Sequence, residues 1–171
     1  MQKGKEILKK EVISVSNGRK LGTIEDLYLG TSLERIRALD ITTESGLFNR
    51  TTRLIPFDHV VRLGVDVVLV EDDDVTRAED ELAQTALWTR LSQLRGRKVD
   101  TTGGTHIGRI TDVIISDEGD ILGYALGDIA VKGPIAQKRA VALDTITDLG
   151  HEDGIMTIDL EKAERQELSL E

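Results

Sequence analysis

The sequence predicts a mainly β protein made of one structural unit written twice, with a helix between the copies and a short helix at the end. Identical residues carry the first part of this reading. Leu8, Gly18, Gly22, Asp26, Arg53, Asp58, Leu63 and Gly64 recur as Leu94, Gly104, Gly108, Asp112, Arg139, Asp144, Leu149 and Gly150, each pair 86 positions apart with no net shift. A fixed period of this kind is the trace of a duplicated unit. Apolar residues repeat in the same register: Ile13 with Val99, Leu21 with Ile107, Ile24 with Ile110, Leu27 with Val113, Leu29 with Ile115, Ile36 with Leu122, Ile55 with Val141, Phe57 with Leu143 and Val60 with Ile146. These pairs follow inward strand positions, so the copies should bury equivalent cores. The turn dipeptides Asn17-Gly18 and Gly103-Gly104 supply the third observation, because glycine reaches positive φ without a Cβ clash and closes hairpins.

Element by element, Glu11 to Ser16 and Lys20 to Leu29 read as strands flanking the first turn, and Arg35 to Thr42 as a third. A Gly46-centred loop leads into a fourth strand that ends at Leu54-Ile55-Pro56, since proline has no amide donor and belongs at a strand end or edge. Phe57-Asp58-His59-Val60 turns a corner before a last strand over Asp66 to Val70. The second copy repeats the order over Lys98 to Thr101, Thr105 to Ser116, Asp120 to Asp128, Gln137 to Ala142 and Ile155 to Asp159. Between the copies, Glu71-Asp72-Asp73-Asp74 precedes Val75, Ala78, Leu82, Ala86, Leu87, Leu91 and Leu94, a helical spacing with carboxylates where a helix start wants them. The expected division is therefore a first copy over 1–73, a helical linker over 74–92 and a second copy over 93–171. The second copy ends in an amphipathic tail around Leu160, Ala163 and Leu168.

Composition narrows the function classes. The chain has 171 residues, and copies of about 70 residues have cores too small to be robust alone. The copies should therefore pack on each other, or the chain should dimerise. No cysteine is present, which removes disulfides, thiolate metal sites and cysteine nucleophiles and suits a reducing cytoplasm. No apolar run approaches the roughly 20 residues that span a bilayer, and the first residues lack a signal peptide's apolar centre. The net charge of −9 is shared by both halves, so neither has a basic surplus for phosphates. Aromatic residues are limited to Tyr28, Phe48, Phe57, Trp88 and Tyr124. Both facts argue against direct nucleic-acid binding.

The ordered set Gly18, Leu21, Gly22, Ile24, Asp26, Leu27 and Ile55 to Val60, repeated as Gly104, Ile107, Gly108, Ile110, Asp112, Val113 and Val141 to Ile146, resembles the PRC-barrel family. The resemblance covers nearly all of the chain outside the linker and tail. It implies two small, partly open β-barrels and an adaptor role without chemistry of its own. Ala142 stands in the second copy where the first has Pro56, a departure at that corner.

Candidate sites are few. Asp26 and Asp112, present in both copies, could ligate a metal or accept local backbone donors, and the repeat favours the second. Asp58 and Asp144 at the corners are read in the same way. His59, His106 and His151 fall at unmatched positions, so no metal site or catalytic base is duplicated. The run Glu71 to Asp74 lacks the spaced ligands and turn glycine of a Ca²⁺ loop and reads as a solvated helix cap. Gly103 to Gly108 contains closely spaced glycines but lies in a hairpin rather than between a strand and a helix. No catalytic residue and no cofactor is expected. Leu47 and Phe48 beside Gly46, loosely matched by Gly133-Pro134-Ile135, and Trp88 on the linker are large apolar side chains in places that could meet a partner, or could close barrel ends. The sequence thus points to a non-enzymatic adaptor that binds protein partners or itself, with a cation or small-ligand sensor as the alternative.

Overall fold

The computed structural model describes residues 1–45, 49–150 and 154–170. Each copy forms one strongly bent sheet. In the first, β2 (Glu11–Ser14), β3 (Lys20–Leu29), β4 (Ile36–Ser45), β5 (Asn49–Pro56), β6 (Val60–Leu63) and β7 (Val67–Val70) lie in the order β5-β4-β3-β2-β7-β6. In the second, β9 (Lys98–Thr101), β10 (His106–Ile115), β11 (Ile121–Gly127), β12 (Ala140–Ala142), β13 (Ile146–Asp148) and β14 (Met156–Ile158) lie in the matching order β12-β11-β10-β9-β14-β13. The parallel pairs β2–β7 and β9–β14 bring the last part of each copy back to its first strand. Gly22 and Gly108 recur because the neighbouring strand crosses close above them. A Cβ would stand 2.6 Å from the Thr42 carbonyl oxygen in one copy and 2.7 Å from that of Gly127 in the other.

The copies exchange their leading segments. β1 (Gln2–Lys3) and the one-turn helix α1 (Gly4–Ile7) precede the first barrel, yet β1 pairs with β10 of the second through Gln2↔Ile115 and Lys3↔Ile114. Reciprocally, β8 (Thr89–Arg90) leads through α2 (Leu91–Leu94) into the second barrel, but pairs with β3 of the first through Leu29↔Thr89 and Tyr28↔Arg90. The contact continues at a pseudo-twofold axis, where the Ile36 amide donates to Gly119 O (2.9 Å) and the Ile121 amide to Glu34 O (2.8 Å). The buried Tyr124 hydroxyl of the second copy donates to Leu33 O of the first (3.1 Å). Ile7, Leu94, Leu33, Phe57, Val99 and Ile121 accordingly belong to one hydrophobic cluster that draws on both copies. The expectation that small cores would pack together is met within the chain.

The repeat is less regular than a constant spacing suggests. Val12, fully buried, pairs with Gly22, and Val99 pairs with Gly108, so Val12 rather than Ile13 is the equivalent of Val99. Likewise Ile7 rather than Leu8 matches the buried Leu94. The offset ahead of the first hairpin is therefore 87 positions, because that turn is one residue shorter in the second copy: Gly18 N donates to Ser14 O, whereas Gly104 N donates to Thr101 O. Past the next turn the offset falls to 85, and Ile121, not the exposed Leu122, is the counterpart of Ile36. Turns gain and lose residues cheaply while the strand cores hold their positions.

Residues 74–92 do not form one helix. They contain short 3₁₀ turns at Glu79–Glu81 and Thr85–Leu87, then β8, and only at Leu91–Leu94 a single α-turn. Arg77 exchanges backbone hydrogen bonds with Leu54 at the β5 edge (2.7 and 2.8 Å), which a continuous helix would forbid. The apolar residues that mimic helical spacing instead cover a sheet: Val75 enters the main core, and Leu82 and Trp88 pack on Tyr28, Ala38 and Leu54. The acidic run consequently caps no helix. Asp73 faces Arg19 and Asn17, and Glu71 faces His59. At the chain end, α4 (Leu160–Arg165) is capped by Asp159, and Gln166 anchors the tail on β12 through Ala140 O and the Ala142 amide. The tail covers the same face of the second sheet that the connector covers on the first.

Two further expectations change. The strand over Gln137 to Ala142 is instead α3 (Pro134–Lys138) followed by β12, and Ile135 is buried in the core rather than offered at a loop tip. Pro56 and Ala142 occupy equivalent strand ends, opposite Ala38 and Gly123, so the substitution leaves that corner unchanged. A chain cut between Ala86 and Leu87 tests the exchange of leading segments. Fragments 1–86 and 87–171, produced together, should copurify as a one-to-one complex, and each alone should lose cooperative thermal unfolding. Two independently folded monomers would contradict it.

Candidate functional site

Asp26 and Asp112 sit one residue before the most buried stretch of β3 and β10, and each receives the leading segment of the other copy. Asp112 Oδ1 accepts the amides of Val113 (2.9 Å) and Lys5 (3.2 Å), the second residue of α1. Asp26 Oδ1 accepts the amides of Leu27 (2.8 Å) and Ser92 (3.3 Å), the second residue of α2, and Oδ2 accepts the Ser92 hydroxyl (2.5 Å). The N3 side chains complete the parallel: Glu6 accepts the Lys3 amide and Gln93 the Arg90 amide, as in a capping box. The two aspartates therefore supply acceptors that one-turn helices cannot provide for themselves. Burial raises the Asp112 carboxyl above the ordinary carboxylate range, against the pull of the Lys5 and Val113 amides.

Asp58 and Asp144 are not backbone caps. Asp58 is exposed and makes no hydrogen bond among the described residues, and the Asp144 carboxylate faces Lys162 at 3.3 Å. His59 pairs with Glu71 (3.0 Å) and His106 with Asp100 (2.8 Å), while His151 lies outside the described residues. Among the described residues no three His, Cys, Asp or Glu side chains converge as metal ligands, and no helix is long and apolar enough to cross a membrane. Leu47 and Phe48 also lie outside the described residues.

Trp88 is placed by the connector at the rim of a groove of about 670 Å³ between the copies. Its ring centroid is 6.1 Å from that of Tyr28, and the Arg90 guanidinium lies 4.7 Å over the Tyr28 ring. Arg90 also bonds Asp40 Oδ2 at 3.0 Å. The Asp40 side chain is only 5% exposed and its Oδ1 has no hydrogen-bond partner among the described residues. Asp40 stands directly across from Asp26 on the sheet, a like-charge pairing that disfavours ionisation. Burial, then Asp26, raise its carboxyl; Arg90 opposes them. The same position in the second copy is Ala125, across from Asp112. The scaffold does not require an acid there.

Sequence reasoning singled out Trp88 but missed Asp40, Arg90 and Arg97, which also lines the groove. Arg97 donates to Leu149 O (2.7 Å), and burial lowers its guanidinium below the usual arginine range. The signal that could have found them is difference between the copies rather than identity.

A family model described as PRC-barrel domain matches the chain twice, over residues 2–77 and 89–163. The probable sporulation protein YlmC of Bacillus subtilis (strain 168) is 37% identical over 65 residues, which make up 36% of this chain and 80% of that protein. That relative is therefore little longer than one copy.

The two acid positions predict opposite mutational behaviour. Asp112→Ala leaves the Lys5 and Val113 amides without an acceptor and should cost about 1–3 kcal/mol of unfolding free energy. Asp40→Ala restores the residue of the other copy and frees Arg90, whose side chain is a third exposed, so it should change stability by less than about 1 kcal/mol. The raised carboxyls also fix a sign: the folded state holds more protons than the unfolded one just above the ordinary carboxylate range. Stability should thus fall as pH rises through that window. Denaturant titrations from pH 4 to 7 read this, and Asp40→Asn should flatten the slope. An unchanged slope would show that Asp40 does not contribute.

Proposed function

The chain belongs to the PRC-barrel family, with two copies of its domain, and on that premise we propose that it is a non-enzymatic adaptor that binds protein partners or a second copy of itself. The division into a first barrel over 1–73, a connector over 74–92 and a second barrel over 93–171 is part of this reading, as is a cytoplasmic setting. One observation supports it most. The β4–β5 ladder outgrows its counterpart: it pairs from Ala38↔Pro56 out to Ser45↔Asn49, whereas β11–β12 stops after Gly123↔Ala142, Tyr124↔Val141 and Ala125↔Ala140. The outer part of that hairpin is dispensable to the barrel, because the second copy folds without it. In the sequence, Leu47 and Phe48 fall between Ser45 and Asn49, and large apolar side chains of this kind anchor interfaces.

The two repeated acids are engaged by the leading segments, which supports a scaffold rather than a reaction centre. A photo-cross-linking residue placed at Thr43 or Thr51 on the hairpin tests the adaptor reading, with Thr147 on the second barrel as the control. The same adduct, a defined partner or a chain dimer, should form from both hairpin positions and not from Thr147. Adducts from all three alike, or none together with a strictly monomeric mass at high concentration, would refute it.

A further inference from the structure

We propose that the outer edge of β5 pairs with the same edge of a second copy of the chain, joining two sheets antiparallel across a twofold axis through Arg50 and Thr52. The inference rests on the adaptor reading and names both the occupant and the seam. Backbone parity locates that seam, because in an antiparallel ladder the N–H and C=O of one residue point to the same side. Leu54 turns both groups away from β4, toward Arg77 (2.8 and 2.7 Å). Thr52 and Arg50 share its parity and therefore point the same way, and neither has a backbone partner there among the described residues. Pro56, which has no N–H to leave open, belongs to the same set.

In the second barrel the equivalent edge is closed. Ala140 and Ala142 are the counterparts of Leu54 and Pro56, and Gln166 of the tail fills their outward groups, donating to Ala140 O (2.7 Å) and accepting the Ala142 amide. α3 stands where β5 would continue, so no further edge is offered there. Both barrels thus seal the edge at the same residue, and β5 runs past its seal. The extension is also straight: the β4–β5 ladder has eight successive pairs without a bulge, whereas β2–β3, β3–β4 and β6–β7 are each interrupted. A bulge turns an edge away from further strands, and this edge lacks one.

Length and charge favour a second copy as the occupant. The open edge runs from Asn49, where β5 begins, to Arg53, beside the Arg77 bridge. Setting Arg50 opposite Thr52 of the second copy uses both outward residues of each edge, for four interchain hydrogen bonds, and brings Asn49 opposite Arg53. The pairing then ends flush with the bridge at Leu54. Thr51 meets Thr51, a favourable cross-strand pair, and no arginine stands directly opposite an arginine. Arg53 stays occupied, donating to Thr76 O (3.2 Å). The two Arg50 are diagonal neighbours, and Glu44 stands opposite each in its own β4–β5 ladder. An acidic strand of another protein is the competing occupant, and salt separates the two. Copies of net charge −9 repel, so salt should strengthen self-pairing, whereas it would weaken an acidic strand's hold on the arginines.

The chain has no cysteine, so single cysteines report the register. Thr51 opposite Thr51 is a non-hydrogen-bonded pair with Cα atoms about 4.5 Å apart, inside disulfide range. Arg50 and Thr52 meet their own copies only diagonally, about 7–8 Å apart. Under mild oxidation, Thr51→Cys should therefore form a disulfide dimer about tenfold faster than Thr52→Cys or Arg50→Cys. All three positions are exposed, so the core is untouched. Adding Thr52→Pro removes one outward N–H from each edge and none from the β4 ladder, and should slow the Thr51→Cys dimer by a similar factor. The unsubstituted chain should sediment as a reversible dimer at high concentration, more so in added salt. Equal rates at the three positions, a Thr51→Cys rate indifferent to Thr52→Pro, or dimerisation that salt weakens would overturn the proposal. So would a strictly monomeric chain that cross-links from Thr43 and Thr51 to a different protein, an outcome that leaves the adaptor reading standing.

Discussion

Each barrel in this chain is finished by the other. A two-residue strand and a single helical turn have too few hydrogen bonds to persist alone, since helix nucleation is unfavourable and a one-turn helix leaves its first amides open. Here the leading segment of each copy is held by β pairing to the long strand of the other, by burial of Ile7 or Leu94, and by a buried carboxylate aimed at its second residue. The rest of the architecture follows from that exchange. It fuses two small cores into one, and it opens two related grooves where the segments cross between barrels.

Much of the scaffold was legible in the sequence because strand cores are conservative in space. Gly22 and Gly108, Asp26 and Asp112, and Ile24 and Ile110 keep a spacing of 86 because no turn intervenes between them and their neighbours in β3 and β10. Leu8, Ile13 and Leu122 are mismatched because the turns ahead of and behind that strand differ by one residue between copies, while the spacing of 86 returns by Pro56 and Ala142. The connector misled for another reason. Val75, Leu82 and Leu91 have helical spacing, but what they cover is a sheet, and the open β5 edge at Leu54 offers Arg77 backbone partners that local periodicity cannot reveal.

The candidate site was less legible, for a reason inherent in repeats. Matching positions expose what both copies need, and here that is structural: turns, close strand crossings and the caps of exchanged segments. Function, if confined to one copy, lies among the mismatches. Asp40 against Ala125, Trp88 against Met1 and Thr31 against Asp117 are unremarkable in the sequence and become informative only after the pseudo-twofold axis places them at equivalent points. The internal duplicate then acts as a control, separating side chains the fold demands from those it merely accommodates.

Amide hydrogen exchange at Lys5 and Ser92 tests the reciprocal closure most directly. If the leading segments leave only when the barrels part, both amides should be protected nearly as strongly as the buried strand amides of Ile24 and Ile110, and Asp112→Asn should release Lys5 before Ser92. Exchange of both amides at the rate of an unstructured chain, while β3 and β10 remain protected, would show that the barrels are complete without the exchange.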